Sequence, residues 1–380
     1  MSFTSLGLSQ QLLNVLAAQN YVKPYPIQQE AIPAILKRKD VLGIAETGSG
    51  KTAAYVLPIL THLQANPDTK NRHVKVLVLV PTRELAVQVG EVFKTFISAL
   101  PERIKSLAVF GGVSINPQMM AMSGVSVLVA TPGRLLDLVE SNAVHLSDID
   151  TLILDEADKM LNLGFEEEMK RIFNLLPEKR QNLLFSATLS DDINNINQIL
   201  LNDPLVINIK PKSDHIELID QLAYNVTEDQ KGPMLRYLIK TNEMKQVLIF
   251  TSSTTKADNV AHKLRKNGFD TEAMHSKKSQ GARRNALERF KTGDLPILVT
   301  TDLLSRGIDI EFLPHVINYE LPRSPKDYIH RIGRTGRAEN PGQAISFITP
   351  DDEHHFKVIQ KKMGKWVTRI EGESIDLIGF

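Results

Sequence analysis

Two short segments, far apart in the chain, carry residue types suited to nucleotide hydrolysis. The segment from Ala45 to Thr52 follows the glycine-rich phosphate-loop pattern, except that Ala45 stands where a glycine usually opens the loop. Its glycines allow backbone N–H groups to surround phosphate oxygens, its lysine brings a cation to the β- and γ-phosphates, and its last threonine can ligate Mg²⁺. The residues predicted to hold a triphosphate are Thr47, Gly48, Ser49, Gly50, Lys51 and Thr52.

The second segment is Asp155-Glu156-Ala157-Asp158, which follows the apolar run 151–154. In phosphoryl-transfer sites an Asp at the end of such a strand holds Mg²⁺, so Asp155 is predicted to be a metal ligand together with Thr52. Glu156 is then placed to orient and deprotonate the attacking water. An isolated pair of acids after a strand is usually a solvated turn. The phosphate loop upstream favours catalysis, and the two segments together predict a nucleotide hydrolase.

Composition limits the classes of protein that remain. The chain has 380 residues, 42% of them hydrophobic, which is enough for two sizeable cores. Its net charge of +1 gives no global attraction for nucleic acid, so a polyanion site is expected to be a local groove. The absence of cysteine excludes disulfides and cysteine-ligated zinc and suits a cytoplasmic location. The first residues do not resemble a signal peptide and no apolar stretch reaches membrane-spanning length, so no membrane association is expected.

Short apolar strands alternate with helical patterns along the chain, which predicts an α/β fold with mostly parallel sheets flanked by helices. The predicted strands are 41–45, 74–80, 126–130, 151–154 and 182–185, and then 246–250, 295–300, 315–318 and 344–347. A polar, proline-containing segment interrupts the alternation, so we predict domains 1–208 and 218–380 joined by a linker at 209–217. The second domain has no phosphate loop and must contribute something other than primary triphosphate binding.

The candidate contribution of the second domain is an arginine cluster between Tyr328 and Arg337. Its arginines recur every three residues, and on a helical turn Arg331 and Arg334 would share a face. A guanidinium that reaches the γ-phosphate from this cluster would act as an arginine finger. Taken alone, such a cluster is more often a solvated basic helix end.

With these motifs in this order and spacing, the chain resembles the DEAD-box ATP-dependent RNA helicases of superfamily 2 over nearly its whole length. The opening Met-Ser-Phe-Thr-Ser-Leu-Gly-Leu and the compact core are most similar to the bacterial RhlE-type branch. The resemblance implies two RecA-like domains with the active site in the cleft between them. It also implies an RNA-dependent ATPase that locally unwinds or remodels RNA duplexes and RNA–protein complexes. ATP and Mg²⁺ would be its cofactors. Its partners would be RNA, either single-stranded or duplex, and proteins that supply target specificity.

The same resemblance assigns residues to the nucleotide. The segment 21–28 resembles the adenine-reading Q motif, in which Gln28 pairs with the adenine edge, Tyr21 stacks on the ring and Lys23 belongs to the same site. Asp309 would bond the ribose of ATP. Arg334 and Arg337 match the two finger arginines of the family.

Further matches concern coupling and RNA. Ser186-Ala187-Thr188 resembles the motif that couples hydrolysis to RNA binding through hydroxyl bonds to the acids 155–158, with Asp158 in a coupling role. His330 and Arg331 match residues that link the nucleotide site to the rest of the cleft. The matches to RNA-backbone contacts are Pro81, Thr82, Arg83, Gly112, Thr131, Arg134, Gln280, Arg283 and Thr301. Hydroxyls, glycine N–H groups and single arginines suit sugar–phosphate positioning without base readout.

Two other functions stay open at this stage. One is a DNA helicase or translocase, which RNA-specific stimulation of ATP turnover would exclude. The other is an ATP-gated RNA clamp with little unwinding, which a duplex-displacement assay separates. Outside these motifs, Trp366 is predicted to be a core or domain-edge anchor rather than a base-stacking platform.

Overall fold

The computed structural model describes residues 2–46, 48–65, 72–188, 200–209, 219–302, 313–336 and 342–380. By its internal contacts the chain divides into two compact units, Met1–Pro211 (the first unit) and Lys212–Phe380 (the second unit). The predicted site residues Thr47, Asp309 and Arg337 lie outside the described residues, as does the predicted linker apart from Ile209. The domain limits and these three assignments therefore stay predictions.

The first unit alternates strands and helices. Its strands are β1 (Val41–Ile44), β2 (Val76–Leu79), β3 (Ser106–Val109), β4 (Val127–Ala130), β5 (Thr151–Asp155), β6 (Gln181–Ser186) and β7 (Leu205–Asn208). Its helices are α1 (Gln10–Ala18), α2 (Pro26–Leu36), α3 (Lys51–Ala65), α4 (Arg83–Ile97), α5 (Asn116–Met120), α6 (Pro132–Glu140), α7 (Ala157–Asn162) and α8 (Glu166–Phe173), after a 3₁₀ turn at Phe3–Ser5.

These strands form a parallel sheet in the order β3-β4-β2-β5-β6-β1-β7, with Val41 of β1 paired to Leu183 of β6 and to Leu205 of β7. Alternate residues of each strand point to opposite faces. In β2, Val76 and Val78 pack in one apolar core and Leu77 in the other. Because all strands run the same way, the segments that follow β1, β2, β4, β5 and β6 meet at the carboxyl ends of the strands, on one side of the sheet.

The second unit repeats this plan. Its strands are β8 (Ile219–Asn225), β9 (Val247–Thr251), β10 (Thr271–Met274), β11 (Ile297–Thr301), β12 (His315–Asn318), β13 (Gly342–Ile348) and β14 (Thr368–Glu371). Its helices are α9 (Lys231–Thr241), α10 (Thr254–Lys266), α11 (Gln280–Thr292), α12 (Pro325–Ile332) and α13 (Glu353–Met363), with 3₁₀ turns at Pro350–Asp352 and Gly372–Ser374. The described strands form a parallel sheet in the order β10-β11-β9-β12-β13-β8-β14.

The predicted α/β class with two parallel sheets flanked by helices is confirmed, and each predicted strand overlaps an observed one. The sequence analysis missed β3, β7, β8, β10 and β14. All five are edge or next-to-edge strands, in which exposed and polar residues interrupt the apolar run that marks a buried parallel strand. Among the described residues, no helix combines the length and the apolar character needed to cross a membrane.

Candidate functional site

The phosphate loop connects β1 to α3 in a conformation that requires its glycines. Gly48 and Gly50 adopt φ values of +80° and +85°, which L-residues rarely adopt. A Cβ on Gly50 would also lie 2.5 Å from Nε2 of Gln28. Lys51 begins α3, is buried, and donates from Nζ to the carbonyls of Ala45 (2.5 Å) and Glu46 (2.8 Å). Burial lowers the pKa of Lys51, while the nearby Asp155 and Glu156 carboxylates act in the opposite direction.

Asp155 is the last residue of β5 and is buried at the carboxyl ends of the same parallel strands. Its Oδ2 accepts a 2.8 Å hydrogen bond from the phenol of Tyr55, which is itself fully buried on α3. Burial, and then the Glu156 charge, raises the pKa of Asp155 to about 6, although Lys51 and Tyr55 favour its ionised form. A desolvated carboxylate gains most from a cation, and Asp155 and the Thr52 hydroxyl are the hard oxygen ligands that Mg²⁺ prefers. The donor set therefore fits this metal.

Glu156 has an unusual backbone for a non-glycine residue, with φ +54° and ψ +46° at the start of α7. Its Oε1 lies 2.6 Å from Nζ of Lys159, one helical turn later, and both side chains are buried. Its Oε2 is buried and has no hydrogen-bond partner among the residues that the structure describes. One carboxylate oxygen is therefore fixed by a cation, and the other is available to accept a proton.

The segment after β6 contacts the last acid of this group. Oγ1 of Thr188 donates to Oδ2 of Asp158 at 3.1 Å. The Ser186 hydroxyl was expected to bond one of these acids, but it donates instead to the backbone carbonyl of Thr188 at 2.9 Å. Ser186 therefore shapes the segment, and Thr188 makes the link to Asp158.

Gln28 is fully buried on α2, and both ends of its amide are already engaged. Its Oε1 accepts from the backbone N–H of Tyr25 (2.9 Å), and its Nε2 donates to the carbonyl of Gly50 (3.0 Å). An amide retains one further lone pair and one further N–H, so an adenine edge would have to use these. Gln28 thus ties the start of α2 directly to the phosphate loop.

The predicted stacking residue Tyr21 lies in an aromatic cluster. Its ring packs edge-on against Phe3 and Phe96, with centroid separations of 6.3 and 5.9 Å. Lys23 is exposed. The aromatic ring beside the loop is that of the half-exposed Tyr25, because a Cβ on Gly50 would lie 2.8 Å from its Cδ2.

Sequence reasoning missed three residues of this site: Tyr25, Tyr55 and Lys159. Each follows or precedes a recognised motif residue by three or four positions, which is about one helical turn. That spacing was the available signal. It marks neighbours of a catalytic residue, but it does not distinguish a buried contact from a solvated one.

The predicted RNA contacts of the first unit meet at the carboxyl ends of β2, β3 and β4. Thr82 caps α4, accepting from the N–H of Leu85 at 3.2 Å, and Pro81 precedes it. The guanidinium of Arg83 lies against Gly112 (φ +74°), since a Cβ there would be 2.0 Å from its Nη1. Thr131 and Arg134 open α6, and Arg134 donates to the carbonyl of Val113 at 2.8 Å. Two arginines thus hold the glycine turn 111–113 in place.

The predicted RNA contacts of the second unit lie on helix α11 and at the end of strand β11. Gln280 and Arg283 lie in the first turn of α11 and are hydrogen-bonded to each other, and Thr301 ends β11. Arg331 is buried and forms a two-point ion pair with Asp302, at 2.5 and 2.8 Å.

Arg331 also donates to the side chain of Asn318 and the carbonyl of Glu320, and it stacks 4.9 Å from the ring centre of Phe250. Arg331 therefore fastens α12, which also carries His330, to the carboxyl ends of β9, β11 and β12. Helix α12 ends at Ile332, with Gly333 as its cap. The expectation that Arg331 and Arg334 share a helical face is therefore wrong. Arg334 lies just past the helix end and is largely buried.

Comparison with known proteins agrees with this arrangement. Residues 25–196 match the family model of DEAD/DEAH box helicases, and residues 230–339 match that of the helicase conserved C-terminal domain. The chain is similar to the DEAD-box ATP-dependent RNA helicase CshA of Bacillus cereus (37% identity over 99% of this chain and 70% of that protein). It is also similar to CshA of Streptococcus pneumoniae (40% identity over 99% of this chain and 71% of that protein).

Among solved structures, the chain resembles S. cerevisiae Dbp5 bound to RNA and ADP BeF3, with a TM-score of 0.86 and 30% identity over 98% of this chain and 96% of that one. The two motif-bearing α/β units, the family models and the relatives that match 99% of this chain agree. The chain belongs to the family of DEAD-box ATP-dependent RNA helicases.

Proposed function

We propose that this protein is an RNA-dependent ATPase that locally unwinds or remodels RNA duplexes and RNA–protein complexes. The observation that carries the proposal is the buried group at the carboxyl ends of β1 and β5, where Lys51 lies within electrostatic reach of Asp155 and Glu156. Burying a cation with two carboxylates is costly in free energy, so such clusters concentrate at functional sites. RNA-bound Dbp5, similar to this chain, supports RNA as the polymer.

In this proposal the loop N–H groups and Lys51 bind the β- and γ-phosphates of ATP. Asp155 and Thr52 would hold Mg²⁺, which supplies charge neutralisation on the phosphates when bound. Glu156 orients the attacking water and takes its proton at Oε2, the oxygen that Lys159 leaves unbonded. Gln28 and Tyr21 select the base.

Coupling of ATP hydrolysis to RNA binding would use the contacts at the carboxyl ends of the parallel strands. The Thr188–Asp158 hydrogen bond connects the segment after β6 to the acids. RNA and ATP together would bring Arg334 and Arg337 of the second unit to the γ-phosphate, and hydrolysis would release the RNA. The residues that hold the glycine turn 111–113, with Gln280, Arg283 and Thr301, would bind the sugar–phosphate backbone without reading bases.

The test is the rate of ATP hydrolysis against matched RNA and DNA oligonucleotides, followed by displacement of a short RNA duplex. Stimulation by RNA but not by DNA, with ATP-dependent displacement, is the expected result. Equal stimulation by DNA would favour the DNA helicase or translocase, and stimulation without displacement would favour the ATP-gated clamp.

We further propose a cytoplasmic location and protein partners that supply specificity. The RhlE-type branch stays a prediction, because the relatives above are named CshA.

Replacing Lys159 by methionine should lower RNA-stimulated turnover by about 10- to 100-fold, because the Glu156 carboxylate loses the partner that fixes its Oε1. ATP affinity should change little, since Lys159 is not among the predicted nucleotide contacts. Steady-state kinetics and nucleotide titration measure the two effects separately.

The matched control for this change is Lys159→Arg, which keeps a cation next to Glu156 and should recover much of the turnover. In a Glu156→Gln background, Lys159→Met should add almost nothing, because the two residues act through one contact. Independent, multiplicative losses in that double variant would contradict a role that passes through Glu156. Thermal unfolding of every variant checks that loss of a buried ion-pair partner has not unfolded the protein.

The protein should use ATP well and GTP poorly. If Gln28 reads adenine through its remaining lone pair and N–H, guanine presents a carbonyl where adenine has an amino group. Loss of a bidentate pair of this kind costs about 1–3 kcal/mol, or roughly 5- to 150-fold in kcat/KM. Hydrolysis rates with the two nucleotides at saturating RNA provide the measurement. Equal kcat/KM values for ATP and GTP would remove Gln28 from base selection.

A further inference from the structure

Trp366 is the single tryptophan of the chain, and 71% of its surface is exposed. The expectation that it anchors a core or a domain edge is therefore wrong. It lies in the short connection between α13 and β14, just after Gly364 ends the helix with φ +74°. Single apolar side chains are common on protein surfaces, but an exposed indole also presents a large flat face on which a nucleic-acid base can stack.

The backbone on either side of Trp366 is held in place. The N–H of Val367 donates to Oε1 of the buried Gln360 at 2.9 Å, and the Val367 side chain is buried. Lys365 donates from Nζ to the carbonyl of Ile219 at 3.2 Å. The indole is thus presented from an anchored turn, so little ordering of the backbone is needed for a ligand to stack on it.

Two exposed lysines precede Trp366 in the chain. Residues 354–370 contain five lysines and arginines and no acid, and residues 351–353 and 371–373 on either side contain five acids. Lys357 and Arg369 pair with Glu353. Lys361 and Lys362, in the last turn of α13, are exposed and have no carboxylate within ion-pair distance among the described residues. These two exposed cations favour an anionic ligand, such as a phosphate backbone, over an apolar peptide.

The surface is separate from the RNA contacts predicted above. Strand β14 is the outermost strand of its sheet, whereas Thr301 ends β11, near the opposite edge. Five interstrand spacings separate these two strands, which is roughly 24 Å at about 4.8 Å per spacing. One nucleotide cannot contact both places.

We propose that Trp366, with Lys361 and Lys362, forms an accessory site for single-stranded RNA, in which a base stacks on the indole and neighbouring phosphates contact the two lysines. An aromatic platform beside unpaired cations is the common arrangement for sequence-tolerant binding of single strands. The site adds RNA affinity outside the hydrolytic centre; it rests on the proposal that RNA is the polymer, but not on the roles proposed for the nucleotide-site residues.

The experiment uses the fluorescence of Trp366 itself, in the full chain and without nucleotide. Titration with a long oligouridylate should quench the emission saturably, and added salt should weaken the effect. Lys361→Glu with Lys362→Glu should weaken the quenching about tenfold or more in RNA concentration. The matched control replaces Lys263 and Lys266, two exposed lysines of α10, by glutamate. Its fluorescence should be quenched by RNA as in the parent protein.

A second measurement does not rely on fluorescence. Trp366→Ala should weaken binding of the same RNA by about 5- to 150-fold, which corresponds to the loss of one stacked base. Trp366→Phe should retain most of the affinity, and both variants should keep the parent ATP turnover at saturating RNA. The proposal is overturned if RNA that stimulates hydrolysis leaves the emission unchanged, or if Trp366→Ala binds RNA like the parent. In the first of these cases the surface would belong to a protein partner instead.

Discussion

Replacing Arg334 by alanine is expected to lower RNA-stimulated ATP turnover by about 10³- to 10⁵-fold, the range of known arginine fingers. The guanidinium would act mainly on the charge that develops on the transferred phosphoryl group, so nucleotide affinity should change far less than turnover. RNA affinity without nucleotide should also be retained, because the predicted backbone contacts lie elsewhere. The measurements are steady-state hydrolysis at saturating RNA and direct titration of a nucleotide.

Two variants sharpen this test. Arg334→Lys keeps a positive charge but loses the planar fork that matches phosphate oxygens, so it should recover only part of the turnover. Arg323→Ala removes an exposed arginine two residues before α12 and should behave like the parent protein. If Arg334→Ala hydrolyses ATP at the parent rate with saturating RNA, the second unit does not complete the active site.

Replacing Glu156 by glutamine should lower turnover by about 10²- to 10⁴-fold, the usual contribution of a positioned general base. Glutamine keeps the shape of the side chain but cannot take a proton from water, so ATP and RNA binding should persist. The variant should therefore accumulate with ATP and RNA bound, and its release of RNA should be slow. Single-turnover hydrolysis and RNA dissociation rates provide the readouts.

The control for this variant is Glu167→Gln, which changes an exposed acid of α8 that pairs with Lys170 and should leave turnover unchanged. Lys51→Ala gives the contrasting pattern, with weakened ATP binding as well as lost turnover. Parent-level hydrolysis by Glu156→Gln would exclude Glu156 as the base and would leave the Lys159 contact without a catalytic role.

Much of this architecture can be predicted from the sequence, because buried parallel strands produce unbroken apolar runs. The runs before Ala45 and Asp155 place the phosphate loop and the acids at strand ends, and parallel strands bring such ends to one edge. The order of the strands, however, depends on which faces the intervening helices cover. The position of β1 between β6 and β7 leaves no mark in the residues of β1 itself.

The contacts of the site were less predictable, because residue type does not specify a side-chain partner. A lysine one turn after Glu156 could face solvent, yet Lys159 is buried against it. A tyrosine at position 55 suggests only a helix core, yet its phenol bonds Asp155. Trp366 shows the converse error, since tryptophans are usually well buried and this one is exposed.

The pairing of β1 also determines when the phosphate loop can form during synthesis. Val41 has its neighbours at Leu183 and Leu205, so the strand that leads into the loop is translated long before either strand that flanks it. Parallel strands cannot form as local hairpins, and such distant pairings are slow to close. A nascent chain that ends before β6 and β7 therefore has a complete phosphate-loop sequence, but β1, which leads into the loop, has neither of its neighbouring strands. On the proposed function, the growing polypeptide would acquire its nucleotide affinity only after β6 and β7, which end at Ser186 and Asn208, have left the ribosome.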